Sequence, residues 1–311
     1  MKFGSTQEGR LVITSHDSGK AVFSESYGSL LDALSDWDSA LPALEAEFEA
    51  RKGSELALQD FAAPLPKTWA FLDGSAFIQH IVLVRKARKA ALPEDLTTIP
   101  LMYQGISDTL DGPTANIPAF GPNDGLDFEG EIGIITDEVP MGTTAEEAEK
   151  HIKLVVLLND VSLRNLIPRE VGTGFGFIQS KPSSAFAPWA VTPDELGSAW
   201  RDTRLHLPLV THLNGVQFGI PDAGEMHFSF AELIAHAAKT RRLSAGTIIG
   251  SGTVANKNAE VGSSCIAERR MLEIIETGEA TTPFLQPGDR VQMEVHKDGH
   301  SVFGQIDQMV S

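Results

Sequence analysis

The sequence is poor in cysteine, in basic residues and in long apolar stretches. Its 311 residues include one cysteine, Cys265, which excludes an intrachain disulfide and removes any need for an oxidising compartment. No stretch approaches the roughly 18 apolar residues that a membrane-spanning helix requires, and residues 1–10 carry no apolar run. These absences predict a cytoplasmic protein without a membrane span.

Positive charge is scarce as well. The chain has 25 Lys and Arg against 42 Asp and Glu, which gives a formal net charge of −17 at pH 7. An acidic surface of this kind repels nucleic acid and anionic membranes, so neither is an expected partner. With 42% hydrophobic and 22% charged residues, the composition is that of a globular protein. The length suffices for one large domain or for a large and a small one.

The first part of the chain predicts a small unit of strands and helices. Apolar runs at 11–14 and 21–23 flank the turn-forming residues 16–20 and predict a hairpin. Residues 29–48 carry apolar side chains at helical spacing, with Pro42 as the predicted break between two helices.

A proline-rich connection at 62–66 predicts a domain boundary. We therefore expect a small N-terminal α/β domain over residues 1–66 and a larger domain over residues 67–311. Within the larger domain the sequence pattern predicts these elements: a helix over 75–90, a hairpin turn at Asn214-Gly215, a helix over 230–239, strands at 271–275 and 290–295, and a buried strand around Cys265. The glycine-rich run 172–177 lacks the lysine-threonine ending of a phosphate-binding loop, so a nucleotide site is not expected.

Residues 127–135 form an alternating pattern with acid on one face of a predicted strand. Phe128 and Ile132 fall on one face, and Asp127, Glu129 and Glu131 on the other. Same-face residues in a strand lie roughly 7 Å apart, so Glu129 and Glu131 can converge on one metal ion. The alternative that this stretch leaves open is an exposed edge strand with ordinary surface carboxylates.

Three other residues are candidates for chemistry. Asp160 follows the apolar run 152–158 and would need a strong partner such as a cation if it were buried. His80 comes seven residues after Asp73, so both can line one cleft if a helix begins near Asp73. Taken alone, a histidine of this kind more often belongs to the core or the surface.

Five short motifs occur together in one order along the chain. They are Asp73 with His80, Glu129-x-Glu131, Asn159-Asp160-x-Ser162-x-Arg164, Lys181, and Gly250-Ser251-Gly252-Thr253. Together they resemble the fumarylacetoacetate hydrolase family over residues 66 to 311. The resemblance implies an α+β, β-rich fold in which a mixed β-roll catalytic domain follows a small N-terminal α/β domain, and it implies a homodimer.

The resemblance also implies a divalent metal. Its ligands would be Asp73, Glu129, Glu131 and Asp160, which match the family's ligand positions. An all-carboxylate set suits a hard cation, so we expect Mg²⁺ first, with Ca²⁺ or Mn²⁺ as alternatives, and not Zn²⁺.

Catalytic and substrate-binding roles follow from the same resemblance. His80 matches the family's general base, and Glu268 is the match for the glutamate that orients it. Arg164 and Lys181 would act in catalysis and hold the substrate together with Thr253 and Tyr103. Two positions depart from the mammalian members: Ile167 replaces a glutamine and Gln104 replaces a histidine.

These features predict a metal-dependent hydrolase that cleaves a carbon–carbon bond of a β-diketo acid, such as fumarylacetoacetate or an acylpyruvate. The first of these substrates would place the enzyme in aromatic amino-acid breakdown. A 2-oxo acid hydratase or an oxaloacetate decarboxylase on the same metal platform is the alternative. A non-catalytic binding protein that kept the fold is a third possibility, which the intact ligands and base disfavour.

Overall fold

The computed structural model of the protein describes residues 1–15, 20–87, 91, 92 and 94–311. The described strands are β1 (Lys2–Ser5), β2 (Leu11–Thr14), β3 (Val22–Phe23), β4 (Phe71–Gly74), β5 (Met102–Gly105), β6 (Leu126–Asp127), β7 (Gly130–Thr136), β8 (Ile152–Asn159), β9 (Ser162–Leu163), β10 (Ala185–Phe186), β11 (Ala190–Val191), β12 (Trp200–Arg201), β13 (Arg204–Leu205), β14 (Leu209–Leu213), β15 (Val216–Gly219), β16 (Ile248–Gly250), β17 (Arg290–Lys297), β18 (His300–Ser301) and β19 (Ile306–Met309). The described α-helices are α1 (Leu30–Ser35), α2 (Trp37–Ala50), α3 (Ile78–Ala87), α4 (Ala145–Ala148), α5 (Ile167–Thr173), α6 (Pro193–Leu196), α7 (Phe230–Ala237) and α8 (Ile266–Thr277). The predicted α+β, β-rich class is confirmed.

A ten-stranded sheet positions most of the candidate residues. Its order is β3-β2-β1-β11-β8-β7-β16-β4-β5, with β10 paired to β8. Strand β7 lies between β8 and β16 and pairs with both in antiparallel fashion, while β16 runs parallel to β4. Every residue of β7 is buried, so the acidic stretch is an interior strand and not an exposed edge.

A second sheet of five strands covers the C-terminal part. Strands β15, β14, β17 and β18 follow one another, and β19 pairs with β17. The hairpin between β14 and β15 turns at Asn214 and Gly215, whose φ angles of 53° and 76° fit a type I′ turn. The predicted turn is thus confirmed, as are the helix that begins at Phe230 and the strand that begins at Arg290.

The N-terminal segment packs onto the ten-stranded sheet. Strand β1 pairs with β11, and Phe3 lies opposite Ala190. Helices α1 and α2 cover this part of the sheet, where Leu34 and Leu44 join Phe3 in one buried apolar cluster. The division near residue 66 stays a prediction, since β1 to β3 share a sheet with the strands that follow.

Three local predictions in the first part of the chain need correction or restriction. Helices α1 and α2 separate at Asp36, whose φ of −138° leaves the helical range, and Pro42 lies inside α2, where it costs one hydrogen bond without ending the helix. The pairing of β2 with β3 confirms the hairpin strands, but residues 16–19 of its turn lie outside the described residues. The helix that was predicted over residues 75–90 begins at Ile78. Residues 88–90 of that prediction lie outside the described residues.

The segment 271–275, predicted as a strand, belongs to helix α8. Its apolar residues continue the pattern of Ile266 and Ala267, so the buried side follows helical spacing once the whole segment is included. The buried strand predicted around Cys265 is also wrong, because Cys265 is the buried N-cap residue of this helix and makes an isolated bridge to Glu129. Its Sγ accepts a hydrogen bond from the N–H of Glu268. Among the described residues, no helix combines the length and apolar character needed to cross a membrane.

Replacement of Phe3 by alanine tests the packing of the N-terminal strand. The Phe3 ring is fully buried, and its centroid lies 5.4 Å from that of Trp37. We expect Phe3→Ala to lower the free energy of unfolding by about 3–5 kcal/mol in urea denaturation. The matched control is Phe175→Ala, whose ring is 97% exposed and whose loss should cost less than about 0.5 kcal/mol. Equal effects of the two substitutions would contradict this packing.

Candidate active site

Three buried carboxylates meet in the interior of the ten-stranded sheet. Asp73 lies in β4, Glu131 in β7, and Asp160 directly after β8. Their carboxylate oxygens lie within 4.8 Å of one another. Strand pairing brings them together, because β16 pairs with both β4 and β7, and β7 pairs with β8. We call these three residues the carboxylate cluster.

Gly250 leaves the space that the carboxylate cluster occupies. It lies opposite Asp73 on one side and Gly133 on the other. A Cβ atom at residue 250 would be 2.2 Å from Oδ1 of Asp73 and 3.1 Å from Oε2 of Glu131. Any other residue would therefore displace the carboxylates. The N–H of Gly252 donates a 3.1 Å hydrogen bond to Asp73 Oδ1.

The hydrogen-bond donors and cations around the carboxylate cluster do not fully compensate its carboxylates. No hydrogen-bond donor of the described residues reaches either oxygen of the fully buried Glu131. Burial, reinforced by the charge of Asp160, raises the pKa of Asp73 to about 8. Burial and then the charge of Asp73 raise the pKa of Glu131 well above its ordinary value. Unsatisfied oxygen ligands of this kind fit a hard divalent cation.

Glu129 lies beside the carboxylate cluster and is held by two basic side chains. Its Oε1 is 2.6 Å from Arg164 Nη1, and its Oε2 is 2.6 Å from Lys181 Nζ. Burial works to raise the pKa of Glu129, but Arg164 and Lys181 outweigh it and hold that pKa below its usual range. Lys181 Nζ also lies 2.5 Å from Asp160 Oδ2, which links Glu129 to the cluster.

Arg164 is anchored by an acid that the sequence reasoning did not assign to the site. Its Nε donates to Asp127 Oδ2 at 2.8 Å, and Asp127 also accepts from the backbone N–H groups of Ile266 and Ala267. Asp127 thus joins Arg164 to the N-terminus of α8, where a carboxylate is favourable. The Nη2 atom of Arg164 has no partner among the described residues and is free to bind an anion.

His80 and Glu268 meet where α3 packs against α8. A ring nitrogen of His80, a carboxylate oxygen of Glu268 and the sulfur of Cys265 lie within 4.8 Å of one another. Burial and then the charge of Arg164 lower the pKa of His80 to about 4, so its imidazole is neutral at neutral pH. Burial raises the pKa of Glu268 to about 8, although Arg164 opposes the shift.

The sequence-predicted residues surround one cavity of about 150 Å³. They share its wall with apolar side chains and the turn after β16; the lining is Asp73, Ser75, Phe77, His80, Tyr103, Glu129, Glu131, Arg164, Ile167, Phe177, Lys181, Gly252 and Thr253. Of the predicted site residues, Asp160 and Glu268 do not contribute to this lining. A larger groove of about 630 Å³ next to Trp37 and Trp69 contains none of the candidate residues.

Tyr103 forms one side of the cavity. Its hydroxyl donates a 2.6 Å hydrogen bond to Asp160 Oδ2, and its ring makes an edge contact with Phe177 at a centroid distance of 4.9 Å. Burial and then the charge of Asp160 raise the pKa of Tyr103 well above its ordinary value, so the hydroxyl remains a donor.

Two further residues support the site without having been predicted. Ser184 donates a 2.6 Å hydrogen bond to Asp160 Oδ1. The carboxylate of Glu170 accepts hydrogen bonds from the N–H groups of residues 178–180 and from the Ser180 hydroxyl, which fixes the backbone directly before Lys181. No sequence motif marks either residue, because each acts through a contact that only the folded loop creates.

Comparison with known proteins agrees with the resemblance stated above. Residues 70–311 match the family model for the fumarylacetoacetate (FAA) hydrolase C-terminal region, and residues 1–67 match fumarylacetoacetase N-terminal domain 2. A 2,4-didehydro-3-deoxy-L-rhamnonate hydrolase of Sphingomonas sp. (strain SKA58) is 26% identical over 224 residues, 71% of this chain and 76% of that protein.

A second relative is considerably longer. The fumarylacetoacetase of Oryza sativa subsp. japonica is 26% identical over 203 residues, and the match covers 56% of this chain and 47% of that protein. The chain therefore spans about half the length of that relative.

A solved structure shows the same fold. Maleylpyruvate hydrolase from Sphingobium sp. SYK-6, in complex with manganese(II) and pyruvate, matches with a TM-score of 0.67 at 16% identity, over 100% of this chain and 98% of the other. Since the family model covers most of the sequence and the fold agrees, the chain belongs to the fumarylacetoacetate hydrolase family.

Proposed function

We propose that this protein is a metal-dependent hydrolase that cleaves a carbon–carbon bond of a small β-diketo acid, such as an acylpyruvate or fumarylacetoacetate. One observation carries the proposal. One small cavity is lined by three buried carboxylates, of which Glu131 has no hydrogen-bond donor among the described residues, together with the neutral His80 and the two basic side chains Arg164 and Lys181. A homodimer and a cytoplasmic location stay predictions from the sequence.

The carboxylate cluster would hold the divalent cation. Asp73, Glu131 and Asp160 supply oxygen ligands only, which favours Mg²⁺, with Mn²⁺ or Ca²⁺ as alternatives. Glu129, which contacts Arg164 and Lys181, is the predicted fourth ligand. When bound, such a cation polarises the carbonyl oxygens of a diketo acid and stabilises enolate charge.

His80 would supply the proton acceptor. Its lowered pKa keeps the imidazole neutral at neutral pH, so a ring nitrogen has a lone pair with which to accept a proton from water, and Glu268 would orient the ring. The hydroxide adds to the carbonyl carbon, the bond from that carbon to the neighbouring methylene breaks, and the electron pair stays on the methylene carbon. The proton held by His80 then balances the reaction by protonating that carbon.

Arg164 and Lys181 would hold the negative groups of the substrate. Both stay charged, since burial opposes their charge but the neighbouring carboxylates outweigh it and raise the pKa of each. The free Nη2 of Arg164 suits a substrate carboxylate, and Lys181 suits a developing oxyanion. The Tyr103 hydroxyl and Thr253 add polar contacts on the cavity wall.

The cavity favours a small substrate. Its volume of about 150 Å³ is below the roughly 300–1,000 Å³ of pockets for drug-sized ligands. Ile167 and Phe177 contribute apolar side chains to its lining. An acylpyruvate with a short acyl chain therefore fits this lining better than a long substrate such as fumarylacetoacetate, whose far end carries a second carboxylate.

The same volume supports an oxaloacetate decarboxylase or a 2-oxo acid hydratase as the second candidate function. Decarboxylation has no need of a base that activates water. The neutral His80 next to Glu268 therefore favours hydrolysis over decarboxylation.

Substitution of His80 tests the hydrolytic assignment. The assay follows the loss of diketone absorbance from acetylpyruvate and from fumarylacetoacetate with Mg²⁺, and again with EDTA. We expect EDTA to abolish turnover and His80→Ala to lower kcat by about 10²–10⁴-fold, since a general base contributes that much. Mg²⁺ binding by the variant, measured by calorimetry, should equal that of the unsubstituted protein.

The matched control is His236→Ala, because His236 lies in α7 away from the cavity and should retain full activity. Unchanged kcat in His80→Ala would remove its role as base. Consumption of oxaloacetate alone, with both diketones left intact, would move the function to the second candidate.

The pH dependence of stability tests the carboxylate cluster independently of turnover. Asp73 and Glu131 have raised pKa values in the folded protein, so between about pH 4 and pH 8 the folded state binds more protons than the unfolded state. The free energy of unfolding in EDTA should therefore fall as pH rises from 5 to 8, by more than about 1 kcal/mol. Glu131→Gln should flatten this slope, and Mg²⁺ should stabilise the unsubstituted protein most at pH 8.

Glu276→Gln is the control for this experiment, since Glu276 is exposed at the end of α8. It should leave the slope unchanged. If Glu131→Gln and the unsubstituted protein showed the same slope, Glu131 would not be one of the groups that bind an additional proton in the folded state.

A further inference from the structure

We propose a second metal site in this protein, formed by His80, Cys265 and Glu268 and suited to a transition-metal ion such as Zn²⁺. Occupation of this site would withdraw His80 from hydrolysis, so the ion would act as an inhibitor. The inhibitory consequence rests on the proposed function, whereas the binding site itself does not.

The three ligand atoms are close enough for one ion. A ring nitrogen of His80, Sγ of Cys265 and a carboxylate oxygen of Glu268 lie within 4.8 Å of one another. Zn²⁺ bonds of about 2.0–2.3 Å in a tetrahedron place the ligands roughly 3.5 Å apart. Binding of the ion would therefore require these side chains, at the contact between α3 and α8, to draw together from separations of up to 4.8 Å.

Two of the three ligands lack the partners that burial normally requires. Glu268 is 3% exposed, and its Oε2 has no hydrogen-bond partner among the described residues. Nδ1 of His80 is buried and unpartnered in the same way. Within the described part of the chain, Cys265 Sγ accepts a single hydrogen bond, from the N–H of Glu268. A cation between them would satisfy atoms that the protein leaves unsatisfied.

The ligand types separate this site from the carboxylate cluster. Nitrogen, sulfur and carboxylate ligands select a borderline or soft transition metal, whereas the oxygen-only cluster selects a hard ion. Burial raises the pKa of the Cys265 thiol well above its ordinary value and that of Glu268 to about 8, while Arg164 opposes both shifts, so binding of the ion would release protons from these ligands. Three protein ligands leave the fourth position to water.

Cobalt(II) is the direct probe of this site. The protein is first saturated with Mg²⁺ and then titrated with Co²⁺, whose bond to a thiolate gives a charge-transfer band in the near ultraviolet. We expect one equivalent of Co²⁺ to produce the band and Zn²⁺ to remove it by competition. Since Cys265 is the chain's single cysteine, the band can come from no other residue.

The control variant is Cys265→Ser, which keeps an acceptor for the N–H of Glu268 and should preserve the fold by circular dichroism. It should show no charge-transfer band. Absence of the band in the unsubstituted protein, or its persistence in Cys265→Ser, would overturn the site.

Inhibition provides the second measurement. With Mg²⁺ saturating, Zn²⁺ should inhibit diketone hydrolysis by the unsubstituted protein, and Cys265→Ser should keep its basal activity but need more than about tenfold more Zn²⁺. Equal inhibition of both would place Zn²⁺ at the carboxylate cluster and contradict the proposal. If no diketo acid is hydrolysed, the proposed function fails while the cobalt titration still decides the site.

Discussion

Burial of three carboxylates at one point of a sheet is the constraint on which the rest of the site depends. Asp73, Glu131 and Asp160 are removed from water, and no donor of the described residues reaches either oxygen of Glu131. Such an arrangement persists in a folded protein only when protons or a cation compensate the charge. Gly250 is part of the same constraint, because its missing side chain leaves the space in which the carboxylates meet.

The basic half of the cavity is connected to this acidic half through shared partners. Lys181 contacts both Glu129 and Asp160, and Arg164 contacts Glu129 and Asp127. Asp127 in turn binds the first N–H groups of α8, the helix that carries Glu268. These shared contacts join the carboxylate cluster, the two cations and the N-terminus of α8 into one connected unit.

The sequence predicted the parts of this unit that depend on local pattern. Alternation along residues 127–135 placed Glu131 on a polar face, and the apolar run before Asp160 marked a buried acid. The alternating pattern also assigns Asp127 to that polar face. The strand is interrupted at residues 128 and 129, between β6 and β7, and the Asp127 carboxylate binds the N-terminus of α8 instead.

Features that depend on tertiary contacts could not be predicted from pattern. Helix α8 resembles a strand when only its short apolar segment 271–275 is considered, and its helical period shows only over the full length. The approach of His80 to Glu268 follows from the packing of α3 on α8, so only the family resemblance pointed to it. Glu170 and Ser184 act through loop geometry that has no signature in the sequence.

The most direct test of the account is a crystal structure of the protein soaked in Mn²⁺, with data collected for anomalous scattering. We expect an anomalous peak among Asp73, Glu131 and Asp160, with carboxylate oxygens about 2.0–2.4 Å from it. Density without a peak there, with Lys181 still joining Glu129 to Asp160, would contradict the central claim that these buried carboxylates exist to hold a divalent ion.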